Sequence, residues 1–163
     1  MSIMAEIFLI LHNIRSTHNV GAIFRTADAF AVKKIYLTGY TSEPYDMFGK
    51  LKKDFAKTAL GAEKFVEWEK IKSAAALIKK LKSENVFIAS LEQSKNSVLL
   101  NRLPRLPRGK AGLALILGNE VKGIPKSILL KSDAVLEIPM RGKKESLNVS
   151  VAAGIALYAL RFC

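Results

Sequence analysis

Cysteine, histidine and acid are all scarce. The 163-residue chain has one cysteine, Cys163, and two histidines, His12 and His18. One thiol excludes an internal disulfide, and so few imidazoles leave no His/Cys cluster for zinc, so the expectation is a reducing cytoplasm and no metal. Long apolar runs are missing as well. The strongest candidate, AGLALIL, ends at Gly118, far short of the ~20 residues that span a bilayer. The opening MSIMAEIFLILHN carries Glu6 where an export leader needs basic residues, and its apolar run is too short for a leader. Fourteen Asp and Glu stand against 26 Lys and Arg, a net charge of +12. That balance points to a polyanionic partner, with nucleic acid first. Half the residues are apolar and a quarter are charged, enough for a full core, and the length suits a single domain over 1–163.

What is present alternates. EIFLIL (6–11), KKIYLT (33–38), KFVEW (64–68), NVFIAS (85–90), GLALIL (112–117) and AVLEIP (134–139) read as buried strands. Between them VGAIFRTADAF (20–30), EKIKSAAALIKKLKSE (69–84), a short PKSILLK after Pro125 and NVSVAAGIALYALR (148–161) read as helices. This rhythm predicts an α/β domain with a mostly parallel sheet and helices on both faces. The last helix has almost no polar face, which predicts burial nearly all round and a homodimer contact. The first 32 residues are charge-balanced, so the basic excess lies downstream. KLKKDFAK (50–57), RLPRLPRGK (102–110) and RGKK (141–144) fall in expected turns or loops, where cations reach phosphates or simply solvate a surface.

In a parallel sheet, ligands bind beyond the carboxyl ends of the strands. Three such loops stand out. After the first strand, Asn19 is either a helix cap or a ligand contact, and Arg25 either pairs with Asp28 or is free to act. After GLALIL comes GNEVKGIP (118–125), whose Ile124 and Pro125 replace the Lys and Ser/Thr of a P-loop. No GxGxxG turn is present either. What remains is a bend carrying Asn119 and Glu120. In IPMRGKKESLN (138–148), Ser146 and Asn148 are both cap-type residues, and one helix start needs only one of them.

NVGAIFRTADAF (19–30), LILGNEVKGI (115–124) and IPMRGKKESLNVSVAAGIALY (138–158) resemble the three motifs of the SpoU (TrmH) family of RNA ribose 2′-O-methyltransferases in the SPOUT superfamily. KTALGAEKFVEWE (57–69) is similar to the segment between the first two motifs, so the resemblance covers nearly the whole chain. It implies a C-terminal trefoil knot and S-adenosylmethionine held around Leu117, Gly118, Asn119, Glu120, Ile138, Met140, Ser146 and Leu147. It also implies Arg25, Asn19, Glu120, Ser146 and Asn148 as the catalytic set, structured tRNA or rRNA as substrate, and a homodimer formed through the knot region. No N-terminal RNA-binding extension of the kind some members carry is expected. Arginine is a poor base, with an intrinsic pKa above ~12. Arg25 therefore either grips the target phosphate and acidifies the hydroxyl electrostatically, or abstracts the proton directly. The alternatives are a non-catalytic RNA-binding protein that retains the knot, and a different nucleotide-using enzyme on an ordinary doubly wound sheet.

Overall fold

The first strand shows how the layers arise. In β1 (Glu6–His12), Ile7, Leu9 and Leu11 join one buried cluster while Phe8 and Ile10 join another, because successive side chains of a strand point to opposite faces. Both faces are therefore covered, and the run is apolar without a break.

The computed structural model describes residues 5–102, 106 and 109–163. Among them β1, β2 (Lys34–Thr38), β3 (Glu67–Ile71), β4 (Val86–Leu91), β5 (Val98–Leu99), β6 (Gly112–Leu117) and β7 (Ala134–Glu137) form one sheet in the order β3-β2-β1-β6-β4-β7-β5. Every pairing is parallel. On one face, α1 (Thr17–Ala29), α2 (Lys53–Ala59) and α5 (Val149–Phe162) bury Val20, Ile23, Phe24, Phe55, Ala153 and Leu157. On the other, α3 (Ala74–Ser83) and α4 (Lys126–Leu129) bury Leu77, Ile78, Leu81 and Ile128.

Several elements differ from the expectation. KFVEW is not a strand over 64–68: a 3-10 turn takes Ala62–Lys64, and β3 runs over Glu67–Ile71. Leu60 and Gly61, both in the left-handed region, end α2 and turn the chain, so pairing with β2 starts later. The helix expected over 69–84 begins only at Ala74, capped by the Ser73 hydroxyl, because Glu69 to Ile71 are paired in the sheet. KLKKDFAK is not all loop, since its second half enters α2, with Phe55 and Ala59 one turn apart in the core. Two-residue β5 has no counterpart among the expected strands. The segment RLPRLPRGK lies largely outside the described residues.

Helix contacts set the frame for the site. α2 crosses α1 at Gly21, where a Cβ would fall 2.6 Å from the Phe55 carbonyl oxygen and collide with the Thr58 hydroxyl. Thr58 donates to the His18 carbonyl at 2.8 Å. At the other end, the Arg161 guanidinium of α5 donates to the carbonyls of Phe30 (2.8 Å) and Ala31 (2.6 Å), satisfying the exposed end of α1.

Candidate active site

β4, β6 and β7 all end on one cavity of about 430 Å³. Its wall is built mainly from the chain that follows those strands: Glu92 and Gln93 after β4, the bend 118–124 after β6, and Ile138, Met140 and 145–147 after β7. Val149 and Ala152 of α5 close it.

The bend after β6 is held by its own side chains. Asn119 Oδ1 accepts from the amides of Val121 (3.0 Å) and Lys122 (2.8 Å), and the Gly123 amide donates to the Asn119 carbonyl at 2.9 Å. Asn119 Nδ2 donates to the Asn13 carbonyl (2.9 Å) and to the Tyr40 hydroxyl (3.0 Å). The side chain is thus committed to the scaffold, and what Asn119 can offer a ligand is its backbone. Glu92 Oε2 accepts from the Ile124 amide at 3.0 Å, tying the bend to the end of β4. The chain folds back so closely that a Cβ on Gly118 would lie 2.7 Å from the Ile124 nitrogen. Only glycine fits there without displacing backbone.

Beside the cavity a polar network joins three distant segments. The Glu120 carboxylate accepts from the amides of Arg15 (3.1 Å) and Ser16 (3.0 Å) and from Asn19 Nδ2 (3.3 Å). Asn148 Nδ2 donates to Asn19 Oδ1 at 3.2 Å. Burial alone would raise the Glu120 pKa, but donors from its own amide, Ser16, Arg15 and Asn19 outweigh it and hold the carboxyl below the usual glutamate value.

The sequence left two capping questions open, and both have answers. Ser16, not Asn19, caps α1: its hydroxyl accepts from the Asn19 amide at 3.1 Å, which frees the Asn19 side chain for the network. Asn148 caps α5, with its Oδ1 accepting from the Ser150 amide at 2.9 Å, and Ser146 faces the cavity. All eight residues expected around a cofactor, Leu117, Gly118, Asn119, Glu120, Ile138, Met140, Ser146 and Leu147, line this one cavity. Asn19 and Asn148 stand behind its wall. Arg25 is exposed on α1, off that wall, and among the described residues it forms no ion pair with Asp28.

Glu92 and Gln93 were not singled out in the sequence. Gln93 Nε2 donates to the Glu145 carbonyl at 2.7 Å and so latches the loop after β7 to the loop after β4. LEQSKNS has no glycine and no motif; its only signal is its place after a buried strand of a parallel sheet. The wall carries Glu92, Glu120, Glu137 and Glu145 against Lys122, an acidic lining in a strongly basic chain, with the Glu120 carboxylate turned to the Arg15 and Ser16 amides. Such a wall favours a cationic ligand.

Relatives of known name are similar to this chain over most of its length. A tRNA (guanosine(18)-2'-O)-methyltransferase of Aquifex aeolicus is 33% identical over 153 residues, covering 94% of this chain and 67% of its own length. The 23S rRNA (guanosine-2'-O-)-methyltransferase RlmB of Escherichia coli K12 is 31% identical over 150 residues, 92% of this chain and 57% of its own. The chain therefore spans between about half and two thirds of the length of the curated relatives it matches. The crystal structure of an AdoMet-bound rRNA methyltransferase from Sinorhizobium meliloti superposes with a TM-score of 0.84 at 25% identity, over 96% of this chain and 56% of that one. The match to the SpoU rRNA Methylase family runs over residues 6–158, through the loops that build the cavity and the helices behind it, and the chain belongs to that family.

Proposed function

We propose that the protein transfers a methyl group from S-adenosylmethionine to a ribose 2′-hydroxyl of tRNA or rRNA. One observation carries this reading: Asn19 is hydrogen-bonded to Glu120 and Asn148, each more than 100 residues away in the chain, in one network beside a single cavity. The cavity suits the cofactor. Its volume lies within the roughly 300–1,000 Å³ of small-molecule sites, and the acidic residues on its wall complement a sulfonium and an ammonium.

When bound, S-adenosylmethionine supplies a methyl group already activated by the sulfonium charge, which leaves the protein to orient and deprotonate the acceptor. Leu117, Gly118, Ile138, Met140 and Leu147 form the cofactor cradle, and Ser146 contributes a free hydroxyl. Glu120 holds the loop before α1 through the Arg15 and Ser16 amides, so the cavity and α1 keep a fixed relation. Arg25 acts as an electrostatic activator: its guanidinium binds the phosphate beside the target ribose and favours the ionised form of the hydroxyl, whose proton passes to solvent water. The basic surface of the chain binds the rest of a structured RNA. The resemblance supports a C-terminal trefoil knot and two copies pairing through the knot region, and the single cysteine fits the cytoplasm.

Incubation with a labelled methyl donor and unmodified RNA, followed by mapping of alkali-resistant linkages, tests the reading. Wild-type protein is expected to give ribose methylation. Arg25→Ala is expected to bind cofactor normally, to weaken RNA binding by no more than one phosphate contact, and at saturating RNA to lose about a hundredfold or more in rate, the scale of one lost transition-state contact. Cofactor binding with no methylation of any RNA would instead favour the non-catalytic RNA-binding reading.

A further inference from the structure

A turn on the loop after β2 is built with care and then left bare. Asp46 Oδ1 accepts from the amides of Phe48 and Lys50, both at 2.9 Å, the Gly49 amide donates to the Asp46 carbonyl at 3.0 Å, and the Asp46 amide donates to Lys50 at 2.9 Å. Gly49 takes the left-handed conformation that such a hairpin tip requires. Tyr45 and Leu51 bridge the two arms, and the Tyr45 ring stacks on Trp68 with centroids 6.5 Å apart. All this order serves to hold Met47 and Phe48 in solvent, 90% and 86% exposed. Two large apolar side chains at a rigid tip are costly to hydrate and do nothing for the core.

Their surroundings say what covers them. Lys50 and Lys53 flank the tip, exposed and outside any ion pair among the described residues, while Lys52 donates to the Ser42 hydroxyl at 2.9 Å. The root of the same loop is fastened to the active-site scaffold: the Tyr40 hydroxyl accepts from Asn119 Nδ2, and Thr17 of α1 donates to Ser42 at 3.0 Å. Phe48 lies six residues from Ser42, so it is at most about 22 Å from the residue that Thr17 of α1 contacts. An exposed aromatic ring two residues before one exposed lysine and five before another combines what stacks an unpaired base with what neutralises its phosphates.

Resting on the proposed RNA substrate, we infer that the Met47–Phe48 tip is a stacking platform for an unpaired base of that RNA. Fluorescence anisotropy with the full chain, using a labelled RNA stem-loop and a fully paired RNA of equal length at several salt concentrations, tests this. Phe48→Ala and Phe48→Leu are expected to weaken stem-loop binding by roughly fivefold or more, while Phe48→Trp retains it and the paired RNA is bound alike by all. The salt dependence should be unchanged in these variants, whereas Lys50→Ala with Lys53→Ala lowers the log–log slope by about 0.7 per lysine. Phe48→Leu binding as well as wild type overturns base stacking. Phe48→Ala changing the sedimentation coefficient of the free protein also overturns it, by making the tip a contact between copies. A wild-type chain that binds no RNA at any salt concentration sinks the substrate reading itself, and the platform with it.

Discussion

Glu120 is half-buried and charged, and the donors around it are why. Because its folded pKa is depressed, its stabilisation is present above the unfolded value of about 4.3 and is lost as pH falls through the folded value. Glu120→Gln should therefore lower stability at neutral pH by on the order of 1 kcal/mol and flatten the acid limb of a urea-midpoint profile between about pH 7 and about pH 3. Identical acid limbs in the two proteins would contradict the hydrogen-bond account. Ser146 and Asn148 separate cleanly in the same way. Asn148→Ala removes the cap of α5 and should cost about 1 kcal/mol in thermal unfolding. Ser146→Ala removes an exposed hydroxyl and should leave the melting temperature alone while weakening S-adenosylmethionine binding in calorimetry. The sequence showed two capping residues there and could not rank them, since capping is decided by which residue precedes the first helical turn. Asn19 posed the same problem. Ser16, three residues earlier, takes the cap and leaves Asn19 to bridge Glu120 and Asn148.

At the scale of elements, long apolar runs were legible and short pieces were not. β1 and β6 are buried on both faces and read as unbroken hydrophobic segments. α2 offers only Phe55 and Ala59 to the core over seven residues, too few for a helical period to show among its lysines. β5 is two residues long, and its place beside β7 is fixed by tertiary pairing alone. The start of β3 depended on the left-handed pair Leu60 and Gly61, which only the backbone reveals for a leucine. Of the three loops legible in the sequence, those after β6 and β7 wall the cavity and the one after β1 reaches it only through Glu120, while the remaining wall, Glu92 and Gln93, was not legible. Glycines in helices give a direct test of the packing. Gly21→Ala gains helix propensity but drives a methyl into the Phe55 carbonyl and the Thr58 hydroxyl, so a net loss of about 1–2 kcal/mol is expected. Gly154→Ala meets only Thr26 Cγ2 at 3.7 Å, an ordinary contact, and should be neutral or stabilising by up to about 1 kcal/mol. Thermal melts that move both variants the same way and by the same amount would rule out close α1–α2 approach as the cause.

At the scale of the whole molecule, charge and greasiness are sorted by place. The cavity wall is acidic, the chain as a whole is strongly basic, and α5 shows a third character. Its composition predicted burial nearly all round, but within one chain only Val149, Ala153, Ala156 and Leu157 are buried. Val151, Ile155, Tyr158 and Phe162 stay exposed at spacings of four, three and four residues, a single stripe down the helix. Phe30 extends it, with its ring centroid 6.4 Å from Tyr158 and 6.2 Å from Phe162. A contiguous apolar stripe of this kind marks a protein contact, and a self-complementary one is satisfied by a two-fold dimer. The other side of the same helix supplies Val149 and Ala152 to the cavity, so a partner docked on the stripe would stiffen the cofactor site from behind. Ile155→Glu places a charge in the middle of the stripe without touching the buried face. Sedimentation velocity should then show a monomer where the wild type shows a dimer, with circular dichroism at room temperature unchanged. S-adenosylmethionine binding should survive in the variant, weakened, because one chain by itself builds a cavity of cofactor size. A variant that still sediments as a dimer places the contact elsewhere, and a wild type that sediments as a monomer leaves the stripe without the second copy proposed for it.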